Sequence, residues 1–262
     1  EHSPEGCLAA GQPVESLLAH GLIEEESTSG TSGASVRVVF GKTWWAEQEL
    51  RALLRNPFVA ECFGNLTSLR RAVLTTPGCS GVSCYNRWLN LEQRTLGDSR
   101  YVNQTRIPFG LGDDKLAVMA DEVAAWEPAF LDVDPVHGAW FALHCERHGR
   151  RFPSLRFILT SYEFTSVTHR AIMERVFGVP VIDLYGSSET GHLLVETDGI
   201  MRPSPETALL ESTTATGIGE LLVSTLTNPY LPLVRYEIGD YVERVAGGYL
   251  VHGRKRDALR GA

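Results

Sequence analysis

Residues 155–185 read LRFILTSYEFTSVTHRAIMERVFGVPVIDLY, and this stretch decides the fold. Leu155 to Thr160 is an apolar run of strand length. Ser166 to Phe177 has helical spacing, with Ser166 placed to cap its start and Gly178 to end it. Val179 to Tyr185 is a second apolar run. Strand, helix and strand joined by short connections make a parallel βαβ unit, and hence a sheet covered by helices. Upstream, Val36 to Phe40 reads as a strand and Trp44 to Arg55 as a helix ended by Asn56-Pro57. Leu116 to Trp126 and Val136 to His148 read as two more helices, the second closed by Gly149. Residues 1–23 are weakly patterned, with Leu17, Leu18 and Leu22 supporting one short amphipathic turn. Downstream the period changes. Glu220–Leu226, Leu233–Tyr236, Asp240–Val245 and Tyr249–His252 are short β-rich runs separated by Gly, Pro and Asn, which predicts a small antiparallel sheet or barrel. The expected division is an α/β body over 1–205, a small β subdomain over 206–252 and a hinge over 253–262.

The composition agrees with a folded domain. At 262 residues the chain is long enough for one large domain or two small ones. With 43% hydrophobic and 21% charged residues, disorder, collagen and coiled coil are excluded for the chain as a whole. No apolar run approaches the roughly 18–20 residues that span a bilayer, so no membrane association is expected. Glu1 to Gly11 lacks the pattern of a signal peptide. The net charge of -8 argues against nucleic acid, whose phosphates call for a cationic surface. Lys42, Lys115 and Lys255 are the three lysines, so chemistry that needs a lysine has few candidates. The cysteines Cys7, Cys62, Cys79, Cys84 and Cys145 are odd in number and scattered, which predicts reduced thiols and a cytoplasmic setting.

Four segments could carry chemistry. Thr28-Ser29-Gly30-Thr31-Ser32-Gly33 places glycines and hydroxyls where backbone N–H groups can turn inward around phosphate oxygens. A Ser/Gly linker has the same composition, and no Gly-Lys-Ser/Thr follows to make a Walker A loop. Tyr185-Gly186-Ser187-Ser188-Glu189-Thr190-Gly191 follows the second apolar strand. Ligands of open α/β sheets bind at that end of the strands. An aromatic, hydroxyls and a carboxylate there could stack a base, contact a phosphate and hold a divalent cation; a bland strand-end turn is the alternative. Thr190 breaks the Gly-x-Ser-x-Gly pattern of a hydrolase nucleophile elbow. In Arg235-Tyr236-Glu237-Ile238-Gly239-Asp240 the aspartate is either a turn residue or an acceptor for two ribose hydroxyls. Gly253-Arg254-Lys255-Arg256-Asp257 is either a phosphate- or ribose-directed segment or solvated surface. A fifth cluster, Cys79 and Cys84 with His144, Cys145 and His148, lacks the spacing of common zinc fingers, and it reads as buried thiols and surface histidines.

In this order the four motifs TSGTSG, YGSSE, RYEIGD and GRKRD resemble the adenylate-forming (acyl-/aryl-CoA ligase) superfamily, most of all its phenylacetate–CoA ligase-like branch. The stretches Gly219–Thr227, Pro232–Tyr236 and Ser161-Tyr162-Glu163 extend the resemblance over about Glu24 to Asp257. It implies ATP and Mg2+ as cofactors, with Thr28 to Gly33 around the β- and γ-phosphates and Thr31 counted among the catalytic groups. Tyr162, Glu163 and Tyr185 would line the adenine slot beside Gly186 and Ser187. Ser188 would contact the α-phosphate, Glu189 would bind magnesium, Asp240 and Arg254 would hold ribose, and Asp257 would be the hinge. Tyr85, Phe164 and Gly186 would line the pocket of a small carboxylic acid. The implied product is an acyl-adenylate, and the acyl group would pass to coenzyme A or to the phosphopantetheine of an acyl carrier protein. The expected assembly is a monomer or homodimer. Departures are Ala34-Ser35 where the family often has a lysine, Ser188 for the commoner Thr, and an end at Ala262 just after the hinge. On the resemblance, the family's C-terminal domain and its lysine are expected to be missing from this chain. Against the ligase stands a non-catalytic scaffold that binds nucleotide or acyl-adenylate and acts through a partner.

Overall fold

A computed structural model describes residues 13–27, 37–75, 89–103 and 110–255. In chain order the first elements are α1 (Val14–Ala19), β1 (Ile23–Ser27), β2 (Arg37–Gly41), α2 (Trp44–Leu53) and α3 (Pro57–Asn65). Next come β3 (Arg71–Leu74), β4 (Thr95–Leu96), β5 (Ser99–Tyr101), α4 (Asp113–Trp126), β6 (Phe130–Val133), α5 (Pro135–Arg147), β7 (Phe157–Thr160) and α6 (Val167–Phe177). The rest is strand: β8 (Val181–Ser187), β9 (Gly191–Thr197), β10 (Ile200–Pro203), β11 (Ala208–Ser212), β12 (Ile218–Thr225), β13 (Tyr236–Val245) and β14 (Gly248–Arg254). The chain divides into two compact units, residues 61–183 and residues 1–60 with 184–262.

Residues 61–183 form the expected helix-covered parallel layer. The order is β8-β7-β6-β3-β5, all parallel, with β4 antiparallel to β5 at the edge. Strands β6 and β7 are buried at every position, as a sheet covered on both faces requires. The helix ends follow local chemistry. The Ser166 hydroxyl accepts from the His169 amide at 3.1 Å, and Gly178 takes φ 70° to close α6. Asp134 Oδ1 accepts from the Val136 and His137 amides at 2.9 and 3.1 Å, ahead of Pro135 in the first turn of α5. Gly138 lets α5 settle onto its neighbours, since a Cβ there would lie 2.7 Å from both Met173 Sδ and Val133 Cγ2. The core includes Leu74, Leu116, Met119, Leu131, Phe141, Ile158 and Met173.

Residues 1–60 with 184–262 form an antiparallel sheet in the order β8-β9-β10-β14-β13-β12-β11, together with the hairpin β1-β2 and helix α2. Strand β8 serves both units: Val181–Asp183 pair with β7, and Leu184–Ser187 pair with β9. Two expectations change here. Leu233–Arg235 lie outside any strand, because Leu233 is drawn with Leu231 into an apolar cluster with Val38, Phe40 and Trp44. The Leu233 amide bonds the Thr225 hydroxyl, and its carbonyl accepts from the Thr225 amide, in place of a ladder. Pro57 does not simply stop a helix; it starts α3, where the Asn56 side chain accepts from the Val59 amide at 3.0 Å.

Among the described residues no helix is long and apolar enough to cross a membrane. Cys62 and Cys145 are free thiols. Burial pushes the Cys145 thiol up to about 12.

Candidate functional site

Strand β13 carries the decisive alternation. Ile238, Asp240 and Val242 all point to its buried face, so period two puts a carboxylate at a core position. An ionised carboxylate there must be partnered. Asp240, 5% exposed, has two side-chain partners among the described residues. Its Oδ2 accepts from the Tyr185 hydroxyl at 2.6 Å, and its Oδ1 stands 3.2 Å from Arg254 Nε. The arginine arrives by register, because Asp240 and Arg254 are paired residues of β13 and β14. Arg254 also donates to the Ile238 carbonyl at 3.1 Å. Burial, then the Asp240 charge and hydrogen bond, hold the Tyr185 hydroxyl well above its usual range.

Tyr185 comes from β8, four places from β13 in the strand order. Four spacings in a flat sheet would separate them by about 19 Å. A 2.6 Å contact therefore requires this sheet to curl back on itself. The interior of the curl holds Leu193, Leu194, Leu221, Val223, Ile238 and Val242, with Tyr185 packed against them.

The segment after Tyr185 is a β-hairpin rather than a loop at a parallel strand end. Ser188, Glu189 and Thr190 form its turn, and β9 returns antiparallel. The Ser187 and Thr190 hydroxyls are 3.0 Å apart. Glu189 is half-buried and makes no hydrogen bond or ion pair with another described residue, although its charge reaches Tyr185. Gly186 has a packing reason of its own, since a Cβ would fall 2.2 Å from the Gly191 carbonyl oxygen. Helix α2 supports the hairpin. Trp44 and Gln48 both donate to the Thr227 hydroxyl, and the Trp45 ring meets His192 edge-on at 5.2 Å. These supports escaped the sequence reading; two tryptophans and a glutamine at helical spacing resemble any amphipathic helix.

In residues 61–183, Ser161-Tyr162-Glu163 forms a γ-turn. The Glu163 amide bonds the Ser161 carbonyl at 2.9 Å, and Tyr162 takes φ 76°. A non-glycine residue held there stores about 1–3 kcal/mol. Tyr162 and Phe164 are exposed, as is Glu163. Thr28, Ser29, Gly30, Thr31, Ser32, Gly33, Tyr85 and Asp257 lie outside the described residues, as do Cys79 and Cys84. Of the histidine pair expected at the surface, His144 is buried and only His148 is exposed. A separate cavity of about 370 Å³, lined by Arg55, Pro57, Thr197, Arg202, Pro203, Pro205 and Gly247, shares no residue with the Tyr185–Asp240–Arg254 group.

The donor set fits a nucleotide with a hard cation in part. Glu189, which has no hydrogen-bond or ion-pair partner among the described residues, offers an oxygen ligand of the kind magnesium prefers, beside hydroxyls suited to phosphate. Asp240 differs from a bare acceptor, because a ribose would have to share it with Tyr185 and Arg254.

No family model matches the chain, and no curated protein matches it. Solved structures do, and the fold they define is the N-terminal α/β fold of adenylate-forming CoA ligases, as the motif order had suggested. One is 2-hydroxyisobutyryl-CoA ligase in complex with 2-HIB-AMP and CoA, with TM-score 0.63 and 15% identity over 93% of this chain and 62% of that one. Another is the anthranilate CoA ligase AuaEII in complex with anthranoyl-AMP, with TM-score 0.60 and 16% identity over 89% of this chain and 47% of that one. A third is ATP-bound MatB from Rhodopseudomonas palustris, with TM-score 0.58 and 16% identity over 89% and 48%. The chain thus spans about half to three fifths of the length of these structures. At such identities the likeness is one of fold.

Proposed function

We propose that this chain is the adenylating portion of an AMP-forming carboxylate ligase. A carboxylate oxygen attacks the α-phosphorus of ATP, the bond to the bridging oxygen breaks, and acyl-adenylate and pyrophosphate form. The nucleophile is already ionised at neutral pH, so no general base is needed. Catalysis then comes from alignment and from neutralising phosphate charge. The observation that carries the reading is the meeting of three separated motifs: Tyr185 of YGSSE, Asp240 of RYEIGD and Arg254 of GRKRD join at one carboxylate. In this reading Asp240 and Arg254 hold ribose, Ser188 contacts the α-phosphate and Glu189 holds magnesium, which neutralises phosphate charge when bound. Tyr162 and Glu163 keep their adenine-slot roles, and Thr28 to Gly33 the phosphate role. The division into body 1–205, subdomain 206–252 and hinge 253–262 belongs to the same reading. So do the phenylacetate–CoA ligase-like branch, an aryl or acyl carboxylic acid as substrate, coenzyme A or a carrier-protein thiol as acceptor, and a cytoplasmic setting.

The test is carboxylate-dependent ATP–pyrophosphate exchange over an acid panel that includes phenylacetate, anthranilate and 2-hydroxyisobutyrate. Exchange with one acid class, abolished in Glu189→Gln and Asp240→Ala, supports the ligase. The alternative, a non-catalytic scaffold that binds nucleotide or acyl-adenylate and acts through a partner, would use the same three residues. ATP binding without exchange across the panel would decide for that scaffold.

A further inference from the structure

In residues 61–183, the first residue of α4 meets the last turns of α5. Asp113 Oδ1 lies 3.1 Å from His144 Nδ1, and Asp113 Oδ2 lies 3.9 Å from His148 Nε2. The two histidines are four residues apart at the end of α5, where His148 is the C-cap residue, and their ring centroids are 4.3 Å apart. One ligand atom from each of the three residues falls within 4.8 Å of the others. Two ligands held at about 2.1 Å by a tetrahedral ion stand about 3.4 Å apart, so the cluster needs only small side-chain adjustments to share one ion.

We infer that Asp113, His144 and His148 form a binding site for a divalent transition-metal ion of the zinc type, which ties the start of α4 to the end of α5. The ligand chemistry selects the ion: two imidazoles and one carboxylate suit zinc, whereas magnesium and calcium favour all-oxygen sets. Water completes the coordination on the exposed side, where Asp113 and His148 meet solvent. His144 is 3% exposed, so the surrounding fold sets its ring. Arg147 competes for the same carboxylate, at 3.3 and 3.4 Å from its two oxygens. Its side chain is 66% exposed and can swing into water at little cost. Cys145, next to His144 in sequence, is fully buried and does not join the three clustered residues, so the ligand set is nitrogen and oxygen only. The site is independent of the nucleotide reading, and its test does not involve catalysis.

The experiment titrates Zn2+ into EDTA-treated, dialysed protein by calorimetry, and compares thermal melting with and without zinc. One equivalent should bind and raise the melting temperature by mass action. His148→Ala and Asp113→Asn replace exposed groups and should leave the far-ultraviolet circular dichroism unchanged. Each should weaken zinc binding by more than about tenfold. Arg147→Ala, which removes the competitor, should tighten it. Co2+ in place of zinc should show d–d bands without thiolate charge transfer. Absence of saturable binding, binding that both His148→Ala and Asp113→Asn leave unchanged, or a thiolate band would overturn the site.

Discussion

The Tyr185 hydroxyl donates a 2.6 Å hydrogen bond to Asp240 Oδ2, across 55 residues of chain. Asp240 occupies a core-facing place in β13, so this bond and the Arg254 pair are what offset the cost of burying its charge. Tyr185→Phe leaves Oδ2 without its donor and is expected to cost about 1–3 kcal/mol, read from urea unfolding at neutral pH. The alkaline limb tests the same bond. The folded protein holds the Tyr185 proton to higher pH than the unfolded chain does. That contribution to stability is whole below about pH 10 and is lost as pH rises through the folded value. The wild-type protein should therefore lose stability more steeply above about pH 10 than Tyr185→Phe. Parallel alkaline limbs would show that the hydroxyl is not held as described.

Tyr162 at φ 76° gives a prediction whose sign reverses the ordinary rule. At an unstrained position glycine is less stable than alanine by about 0.4–1 kcal/mol. Both Tyr162→Gly and Tyr162→Ala remove the ring, but only alanine keeps the strain. Tyr162→Gly should therefore melt higher than Tyr162→Ala, by a difference of about 1 kcal/mol. The opposite order would remove the γ-turn strain from the account of this segment.

Asp134 ties a cap to an acid limb. Burial by itself would raise its carboxyl, but hydrogen bonds from the His137 side chain, the His137 amide and the Val136 amide, with the His137 charge, outweigh it and hold the group below the usual carboxylate range. Asp134→Ala should cost about 0.5–2 kcal/mol at neutral pH through loss of the cap. The depressed value means the contribution is present above the ordinary carboxylate range and is lost as pH falls through the folded value. Asp134→Asn keeps an acceptor for the amides and should lose stability less steeply below about pH 4 than the wild-type protein. Circular dichroism melts between about pH 2 and 7 cover the window.

Several features were legible from local pattern. Ser166 and Gly178 mark both ends of α6, and the apolar runs around them specify buried parallel strands, because caps and periodicity act over only a few residues. The alternation along β13 already puts Asp240 in register with Ile238 and Val242. The motif order TSGTSG, YGSSE, RYEIGD and GRKRD likewise pointed to the fold that the solved structures share. Other features were decided by tertiary structure. The hairpin after Tyr185, the curl that brings it to Asp240, and the extra-strand path of Leu233 depend on which strands pair. Asp113 joins His144 and His148 because helix packing brings together residues more than thirty positions apart, beyond the reach of any helical period. Backbone periodicity is encoded within a turn or two of chain, whereas partners for a buried carboxylate or imidazole are chosen by strand order, register and sheet curvature.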